Sequence, residues 1–354
     1  MRARQVAAFA VILGWASARG VLAAERETIT AGFPIEAMAI SPNGKLLAVG
    51  GQPPSSRRNV VVYDIAGKTK KTLSDVELRE MIVDLQFSPD GKWIAVGSHA
   101  DGVLLKQLDS GKTYMLGEYI QDESETKIRL FDIKDENLHG SWLLCFAFVG
   151  NTLVAQLNKW VVALDLGSLK IKRAVKLEDR PSGSNVLFGT NGKVIAWATD
   201  GGDVQLVNTE SGASIKTLQG VKASALYFSA DGKRLWVSVP AQGNDDQPVA
   251  IVQSYDLSTF QKVKELSHAT KKMYYNVINL AVSPNAKLLA TGEAEETTVR
   301  LWGLDKDSRA VLIGHSSGPE HFSAITGIVF SPDGKTIYAS GGDGTIKVWD
   351  VPAK

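Results

Sequence analysis

Short apolar runs joined by a turn of recurring composition follow one another along most of the chain. In one example, the run 84–87 leads into the turn Ser-Pro-Asp-Gly-Lys at 88–92 and then into a second run at 93–96. Such a turn reverses the chain because proline fixes φ, Asp or Asn tolerates the next conformation, and glycine accepts a positive φ. Apolar residues alternate on either side, so the pattern predicts two antiparallel β-strands.

The same unit occurs seven times. Turns of this type stand at 41–45, 88–92, 229–233, 283–287 and 331–335, and weaker copies stand at 149–152 and 189–193. The residue before each turn is Ile40, Phe87, Phe148, Phe188, Phe228, Val282 and Phe330, at intervals of 40 to 61 residues. Because one propeller blade of the WD type needs about 40 to 45 residues, the longer intervals are expected to contain insertions.

A third and a fourth strand follow each pair. The third is clearest at 345–349 and 297–302, and a fourth follows a polar turn, as in 109–116. Four antiparallel strands per repeat are typical of a propeller blade. The sequence therefore predicts an all-β fold, a seven-bladed β-propeller with four-stranded antiparallel blades. An additional strand-like segment at 126–132 predicts an extra strand or hairpin on the second blade.

The seventh repeat resembles a WD40 repeat in its turn at 330–335, its Asp343-Gly344-Thr345 corner and its terminal Trp349-Asp350. The resemblance covers nearly all of the chain after residue 24, although the other repeats keep less of the signature. TolB-like propellers share the Ser-Pro-Asp-Gly turn, so the subtype stays open. The resemblance implies that a strand at 26–31 completes the last blade and removes exposed sheet edges. It also implies a hydrogen-bond network in that blade, formed by His315 or His321 with Ser340, Asp343 and Trp349.

The first two dozen residues differ from the rest. Arg2 and Arg4 precede an apolar run at 6–16, and small residues follow. This is the layout of a secretory signal peptide, with cleavage expected near Ala18 or Ala24. The apolar run of about 11 residues is shorter than the roughly 20 of a membrane-spanning helix. We expect a signal peptide at 1–24, a propeller at 25–354, export to the periplasm or the extracellular space, and no membrane span after cleavage.

Charge and cysteine content narrow the function. Removal of residues 1–24 would leave 36 basic against 38 acidic residues, so nothing predicts a nucleic-acid surface. Cys145 is the only cysteine, and its apolar surroundings predict a buried, inert thiol. The sequence has no haem attachment motif, nucleophile elbow or phosphate-binding loop, and its five histidines are scattered. No metal, cofactor or catalytic residue is therefore predicted.

The remaining hypothesis is a non-catalytic scaffold that binds another protein, as part of a complex. Insertions are expected at 52–58, 241–248, 268–276 and 314–323, which the WD40 arrangement places on one face of blades 5, 6, 7 and 1. Tyrosine and arginine there suit an interface. The partner-binding candidates are Arg57, Arg58, Asp245, Asp246, Lys271, Lys272, Tyr274, Tyr275, His315 and His321. The alternatives are solvated loop insertions, a TolB-like envelope propeller, or a lactonase-like hydrolase that uses the central channel.

Overall fold

The regular structure of the protein is entirely β in the part that can be described. The computed structural model describes residues 25–52, 58–78, 81–98, 101–116, 127–131, 143–157, 160–177, 188–199, 202–223, 225–229, 231–242, 249–269, 277–293, 298–305, 311–314 and 325–352. In these ranges, 29 strands form seven sheets. The innermost strands of successive sheets contact one another around a ring. The predicted seven-bladed β-propeller is confirmed. No helix in these ranges is long and apolar enough to cross a bilayer.

Blades 1 to 4 follow in chain order from the inside of the ring outward. Blade 1 contains β2 (Ile35–Ile40), β3 (Leu46–Gly51), β4 (Arg58–Asp64) and β5 (Thr69–Leu78). Blade 2 contains β6 (Ile82–Phe87), β7 (Trp93–Ser98), β8 (Gly102–Gln107), β9 (Thr113–Leu116) and β10 (Lys127–Phe131). Blade 3 contains β11 (Leu143–Val149), β12 (Thr152–Leu157), β13 (Trp160–Asp165) and β14 (Lys170–Lys176). Blade 4 contains β15 (Phe188–Thr190), β16 (Val194–Ala198), β17 (Val204–Asn208) and β18 (Ser214–Leu218).

Blades 5 to 7 complete the ring. Blade 5 contains β19 (Ala225–Phe228), β20 (Arg234–Gln242), β21 (Val249–Asp256) and β22 (Lys262–Ala269). Blade 6 contains β23 (Val277–Val282), β24 (Leu288–Glu293), β25 (Thr298–Gly303) and β26 (Val311–Gly314). Blade 7 contains β27 (Ile325–Phe330), β28 (Thr336–Gly341) and β29 (Thr345–Asp350), and its outer strand is β1 (Glu25–Thr30).

The second strand of a blade is largely buried on both faces, whereas the outer strand is more exposed in several blades. Every residue of β7 is buried, and β14 alternates between exposed and half-buried positions. The middle strands lie between two neighbouring blades, so both of their faces pack against protein. An outer strand borders solvent, and lysines on such an edge discourage pairing with another chain. Continuous burial therefore replaces the alternation that the sequence predicts for the second strand.

The predicted turn has a repeating hydrogen-bond pattern. In blade 7, Ser331 Oγ donates to Asp333 Oδ1 at 2.6 Å and accepts from Thr336 N at 2.9 Å, while Lys335 N donates to Asp333 Oδ1 at 3.0 Å. The Ser331 hydroxyl and the Lys335 amide lower the pKa of Asp333. Gly334 has φ 70°, as the sequence predicts for the turn glycine, and Ala286 takes the same conformation in blade 6 with φ 55°.

The predicted closure of the ring is also confirmed. β1 pairs antiparallel with β29, with Ile29 opposite Ile346 and Thr30 opposite Thr345. Ala31 N then donates to Gly344 O at 2.8 Å. At Gly344 φ is 78° and a Cβ would lie 2.7 Å from Phe33 O, so the chain can pass here only because this residue is glycine. The N-terminal strand thus joins the two ends of the ring in one sheet.

Blade 2 has the additional strand that the sequence predicts. β10 pairs with β9 in parallel, with Lys127 opposite Thr113 and Ile128 opposite Tyr114. A hairpin would give antiparallel pairing, whereas a parallel strand needs a longer connection. The segments 117–126 and 132–142 on either side lie outside the described residues.

Side-chain size is complementary across the junctions between blades. The third residue of the second strand faces the next blade, and in blades 1 to 7 it is Ala48, Ala95, Val154, Ala196, Trp236, Ala290 and Tyr338. Small residues share a core cluster with a phenylalanine of the next blade's first strand, as in Ala48 with Phe87 and Ala196 with Phe228. At two junctions the large residue comes from the second strand and the smaller one from the first strand of the next blade. There Trp236 shares a cluster with Val282, and Tyr338 with Ile40.

Candidate functional site

The ring has two rims of different character. We use turn rim for the side with the connections between first and second and between third and fourth strands. The opposite side, with the connections between second and third strands and between blades, is the insertion rim. On the turn rim, five residues separate first and second strands in blades 1, 2, 5, 6 and 7. On the insertion rim, 6 residues separate β20 from β21, 7 separate β22 from β23 and 10 separate β26 from β27.

Most of the partner-binding candidates lie outside the described residues. They are Arg57, Asp245, Asp246, Lys271, Lys272, Tyr274, Tyr275, His315 and His321. The strands that flank these positions place them in connections of the insertion rim, in blades 1, 5, 6 and 7. Their assignment to one face therefore follows from the strand order alone.

Arg58 is described, and it belongs to a strand rather than to an insertion. It is the first residue of β4, and its Nε donates to both oxygens of Glu36, at 2.7 and 2.9 Å. Glu36 Oε2 also accepts from Ile82 N of blade 2 at 2.8 Å. The Arg58 and Glu36 side chains are 18% and 16% exposed. Glu36 therefore links the ion pair within blade 1 to the first strand of blade 2, and Arg58 has a structural role at the insertion rim.

We expect Glu36→Gln to lower the free energy of unfolding by about 2 kcal/mol, because it leaves a half-buried guanidinium without its counter-charge. Chemical denaturation monitored by fluorescence measures the change. Glu27→Gln is the matched control, since Glu27 pairs with Lys68 at 3.0 Å with side chains 35% and 74% exposed. Exposed pairs contribute roughly 1 kcal/mol or less. Equal losses in the two variants would contradict the role of Glu36.

The residues of the expected network in blade 7 occupy two faces of the blade. Trp349 pairs with Ile337 and shares a core cluster with Ile337 and Ala339. Ser340 is one residue further along β28 and therefore points to the other face, where its hydroxyl lies 3.1 Å from Thr326 Oγ1. The structure does not bring Ser340 and Trp349 together.

Asp343 stabilises the corner before β29, and His315 lies outside the described residues. Asp343 Oδ1 accepts from Thr345 N at 2.9 Å and from Thr345 Oγ1 at 2.8 Å. A tryptophan–hydroxyl bond of the expected kind occurs in blade 6, where Trp302 Nε1 donates to Thr291 Oγ1 at 3.0 Å. Ala339 is the counterpart of Thr291, because each is the eighth residue after its turn serine. Counting residues from the turn serine would have shown from the sequence that blade 7 has no hydroxyl at this position.

An acidic side chain lies on the innermost strand of blade 2, near the axis of the ring. Asp84 Oδ2 accepts from Gln86 Nε2 at 2.7 Å, and Gln86 Nε2 also donates to Phe146 O of blade 3 at 3.0 Å. Burial raises the pKa of Asp84 to about 6, although the hydrogen bonds from Gln86 and from Leu85 N oppose the shift. Burial, and secondarily the Asp84 charge, also raises the pKa of Tyr227 on blade 5. No motif marks Asp84 as a functional residue, although an acid within the apolar strand Ile82–Phe87 is visible in the sequence.

Asp84→Asn is expected to raise the free energy of unfolding at pH 7 by about 3 kcal/mol, since one pKa unit corresponds to about 1.4 kcal/mol. The pKa of Asp84 in the folded state is about 6 against 3.8 for the ordinary carboxyl. A raised pKa stabilises the fold fully below about pH 4, and this contribution is lost as the pH rises through 6. The advantage of Asn should therefore vanish as the pH falls to about 4. Denaturation curves across this range check it, and a constant difference would contradict it.

Cys145 is buried, as the sequence predicts. It lies on β11, opposite Gln156, and burial raises the pKa of its thiol, with a further increase from the Asp84 charge. A thiol held in its neutral form is a poor nucleophile. Among the described residues, no group of three histidine, cysteine, aspartate or glutamate side chains is arranged to hold a metal ion.

Comparison with known proteins matches three segments to the family described as WD domain, G-beta repeat, at residues 71–105, 261–303 and 307–350. Two of these segments, 71–105 and 261–303, precede the repeat that keeps the complete WD40 signature at 330–350. These three segments are similar to WD repeats. Each match begins near the outer strand of one blade and ends in the third strand of the next, so each WD repeat spans a junction between blades. The two side chains of a size-complementary contact therefore belong to two successive WD repeats.

Several known proteins match parts of this chain. Protein HIR1 of Candida albicans is 26% identical over 83% of this chain, and an uncharacterized WD repeat-containing protein of Synechocystis is 29% identical over 39%. This chain spans 35% of the length of each of these relatives. Among solved structures, a chain in the crystal structure of a mitotic checkpoint complex matches with a TM-score of 0.67 and 15% identity, over 99% of both chains. At that identity the match concerns the fold alone.

Proposed function

We propose that this WD-repeat propeller is an exported, non-catalytic scaffold that binds a partner protein on the insertion rim of blades 5, 6, 7 and 1. The observation that carries the proposal is the difference between the rims. The turn rim has short connections fixed by repeated hydrogen bonds, whereas connections of 6 to 11 residues, among them those of blades 5, 6, 7 and 1, lie on the insertion rim. Long connections on a rigid framework are the usual place for recognition residues.

The relatives and the composition of the connections support protein binding. A chain of a mitotic checkpoint complex shares this fold, and a target of rapamycin complex subunit of Schizosaccharomyces pombe is 38% identical over 22% of this chain. The insertion rim connections contain Tyr274, Tyr275 and Arg57, residue types that combine apolar area with hydrogen-bonding groups. We place the partner in the cell envelope or outside the cell because residues 1–24 have the layout of a signal peptide.

Capture of a partner tests the binding proposal. The variant Arg57→Ala, Tyr274→Ala, Tyr275→Ala should lose a partner that the wild-type protein retains from envelope extracts and that mass spectrometry identifies. Arg58 is left unchanged because its ion pair with Glu36 supports the ring. The control is Lys45→Ala, Lys68→Ala, Lys112→Ala, three exposed lysines of the turn rim. Unchanged capture by the first variant, with both variants melting like the wild type, would refute the site.

The terminus of the protein recovered from cells tests export. We expect a mature chain that begins after Ala18 or Ala24 and fractionates outside the cytoplasm. A recovered chain that begins at Met1 and remains in the cytoplasm would refute export, and it would leave the binding proposal to be decided by the capture experiment.

A further inference from the structure

A cavity of about 240 Å³ opens on the turn rim between blades 5 and 6. Its apolar lining includes Val282, Ala286 and Leu304 of blade 6. Trp236, which is 1% exposed, also lines it from blade 5. This is the junction at which the usual small residue and phenylalanine are replaced by tryptophan and valine. The cavity therefore lies where the packing of the ring departs from its common pattern.

The cavity wall contains a polar group that the described residues leave unsatisfied. Trp236 Nε1 is buried and has no hydrogen-bond partner among them. Ser254, which is 0% exposed, pairs with Trp236 in the sheet, and its Oγ likewise has no partner in the described part of the chain. Burial of an unsatisfied donor costs about 1–3 kcal/mol, so such groups in native proteins are nearly always completed by something.

The junction between blades 7 and 1 also has a large aromatic residue on the second strand, but the hydroxyl of that residue is not among the unsatisfied polar groups. Tyr338 takes the position of Trp236 between blades 7 and 1, where burial raises the pKa of its hydroxyl and the nearby Arg26 of the closing strand opposes the shift. At this junction a group of the chain itself lies beside the polar end of the aromatic residue. At the junction of blades 5 and 6, Trp236 instead lines a cavity, and its buried indole N–H has no hydrogen-bond partner among the described residues.

The charge at the cavity favours an anionic acceptor. Lys233, Arg234 and Lys264 line it, as do Asp231 and Asp256. Both carboxylates accept hydrogen bonds within their own turns, and Lys233 and Arg234 lie close enough to Asp231 to lower its pKa further. Lys264 Nζ donates to Leu304 O at 2.8 Å and forms no ion pair within the described ranges. Its remaining N–H groups are available to a ligand.

We propose that this cavity binds a carboxylate carried on a short apolar stem, as a glutamate side chain of a partner presents. The stem contacts Val282 and Leu304, and the carboxylate accepts hydrogen bonds from Trp236 Nε1 and Lys264 Nζ. Charge-assisted hydrogen bonds of this kind are about twice as strong as neutral ones. The site lies on the turn rim, so it does not depend on the binding proposed for the insertion rim.

Indole N–H resonances of the full-length protein labelled with ¹⁵N-tryptophan provide the test. The Trp236 signal is assigned by its absence in Trp236→Phe. Valerate is the probe, and valeramide is the neutral molecule of the same shape. We expect valerate to shift the Trp236 signal saturably, and we expect valeramide to bind roughly tenfold more weakly because it lacks the charge. A peptide with one internal glutamate and blocked termini should compete with valerate better than one whose only carboxylate is its C-terminus.

Two lysine variants separate the site from general surface charge. Lys264→Met should weaken valerate binding roughly tenfold, whereas Lys262→Met, an exposed lysine on the same strand that pairs with Glu265, should not. Equal shifts with valerate and valeramide, unchanged affinity in Lys264→Met, or no response to either molecule would each overturn the proposal. The insertion-rim triple variant should bind valerate normally, so failure of the proposed function and failure of this site are distinguishable.

Discussion

Deletion of residues 25–32 is expected to lower the free energy of unfolding by about 5 kcal/mol, since each lost backbone hydrogen bond contributes about 1 kcal/mol. The deletion removes β1, which pairs with β29 over Glu25 to Thr30 and packs Ile29 against the cluster shared by blades 7 and 1. A typical domain is stable by only about 5–15 kcal/mol. We therefore expect the ring to open and its single cooperative transition to broaden or divide.

Chemical denaturation monitored by fluorescence and by circular dichroism measures this loss, because an opened ring should give transitions that differ between the two probes. Single substitutions in β1 provide the matched control. Ile29→Asp should cost about 2 kcal/mol because Ile29 packs on the core, and Thr28→Asp should cost less than about 0.5 kcal/mol because Thr28 is exposed. A deletion variant that unfolds like the wild type would refute closure by this strand.

Trp236→Ala and Val282→Phe are each expected to lower the free energy of unfolding, and each is expected to offset part of the other's loss in the double variant. Trp236 is almost fully buried, so truncation should cost about 3–5 kcal/mol. A phenylalanine at Val282 beside the indole should cost about 1–3 kcal/mol through overpacking. The double variant recreates the alanine–phenylalanine pair of other junctions, such as Ala48 with Phe87. We expect its loss to fall short of the sum by about 1–3 kcal/mol.

Denaturation midpoints of the wild type, the two single variants and the double variant give this coupling energy. Trp236→Ala with Val263→Phe is the control pair, because Val263 is 46% exposed on the outer strand of blade 5 and its substitution should add independently. Strict additivity at positions 236 and 282 would show that the two side chains do not share one space.

Local chemistry determined most of the architecture. The turn serine, the Asp or Asn two residues later and the glycine after it form a self-contained hydrogen-bonded unit, so the sequence alone locates each turn, as at 331–335. Apolar runs on either side then require strands, and the number of turns gives the number of blades. The fourth strand missing from the last repeat and a spare strand at 26–31 predicted the closure, together with the resemblance to WD40 repeats. The turns and strands themselves depend on neighbours within about ten residues.

Contacts between distant residues had to come from the tertiary structure. Arg58 reads as a loop residue in the sequence, but Glu36 lies 22 positions earlier and meets it only because β2 and β4 reach the same end of the blade. The resemblance to a WD40 repeat implies that Ser340 and Trp349 belong to one hydrogen-bond network. The register of β28 and β29 instead places them on opposite faces of the blade. One residue of displacement in a strand is enough for that.

The sequence by itself determined the repeat, the turns and the blade count, because each follows from short-range backbone chemistry, and the resemblance to WD40 repeats added the closing strand. Only the tertiary structure decided which side chains fill each junction between blades. Trp236 and Val282 are 46 positions apart in the sequence, and their complementary sizes become meaningful once two blades pack face to face. The cavity beside Trp236 and its unsatisfied indole N–H arise from that packing, so no local pattern could reveal them.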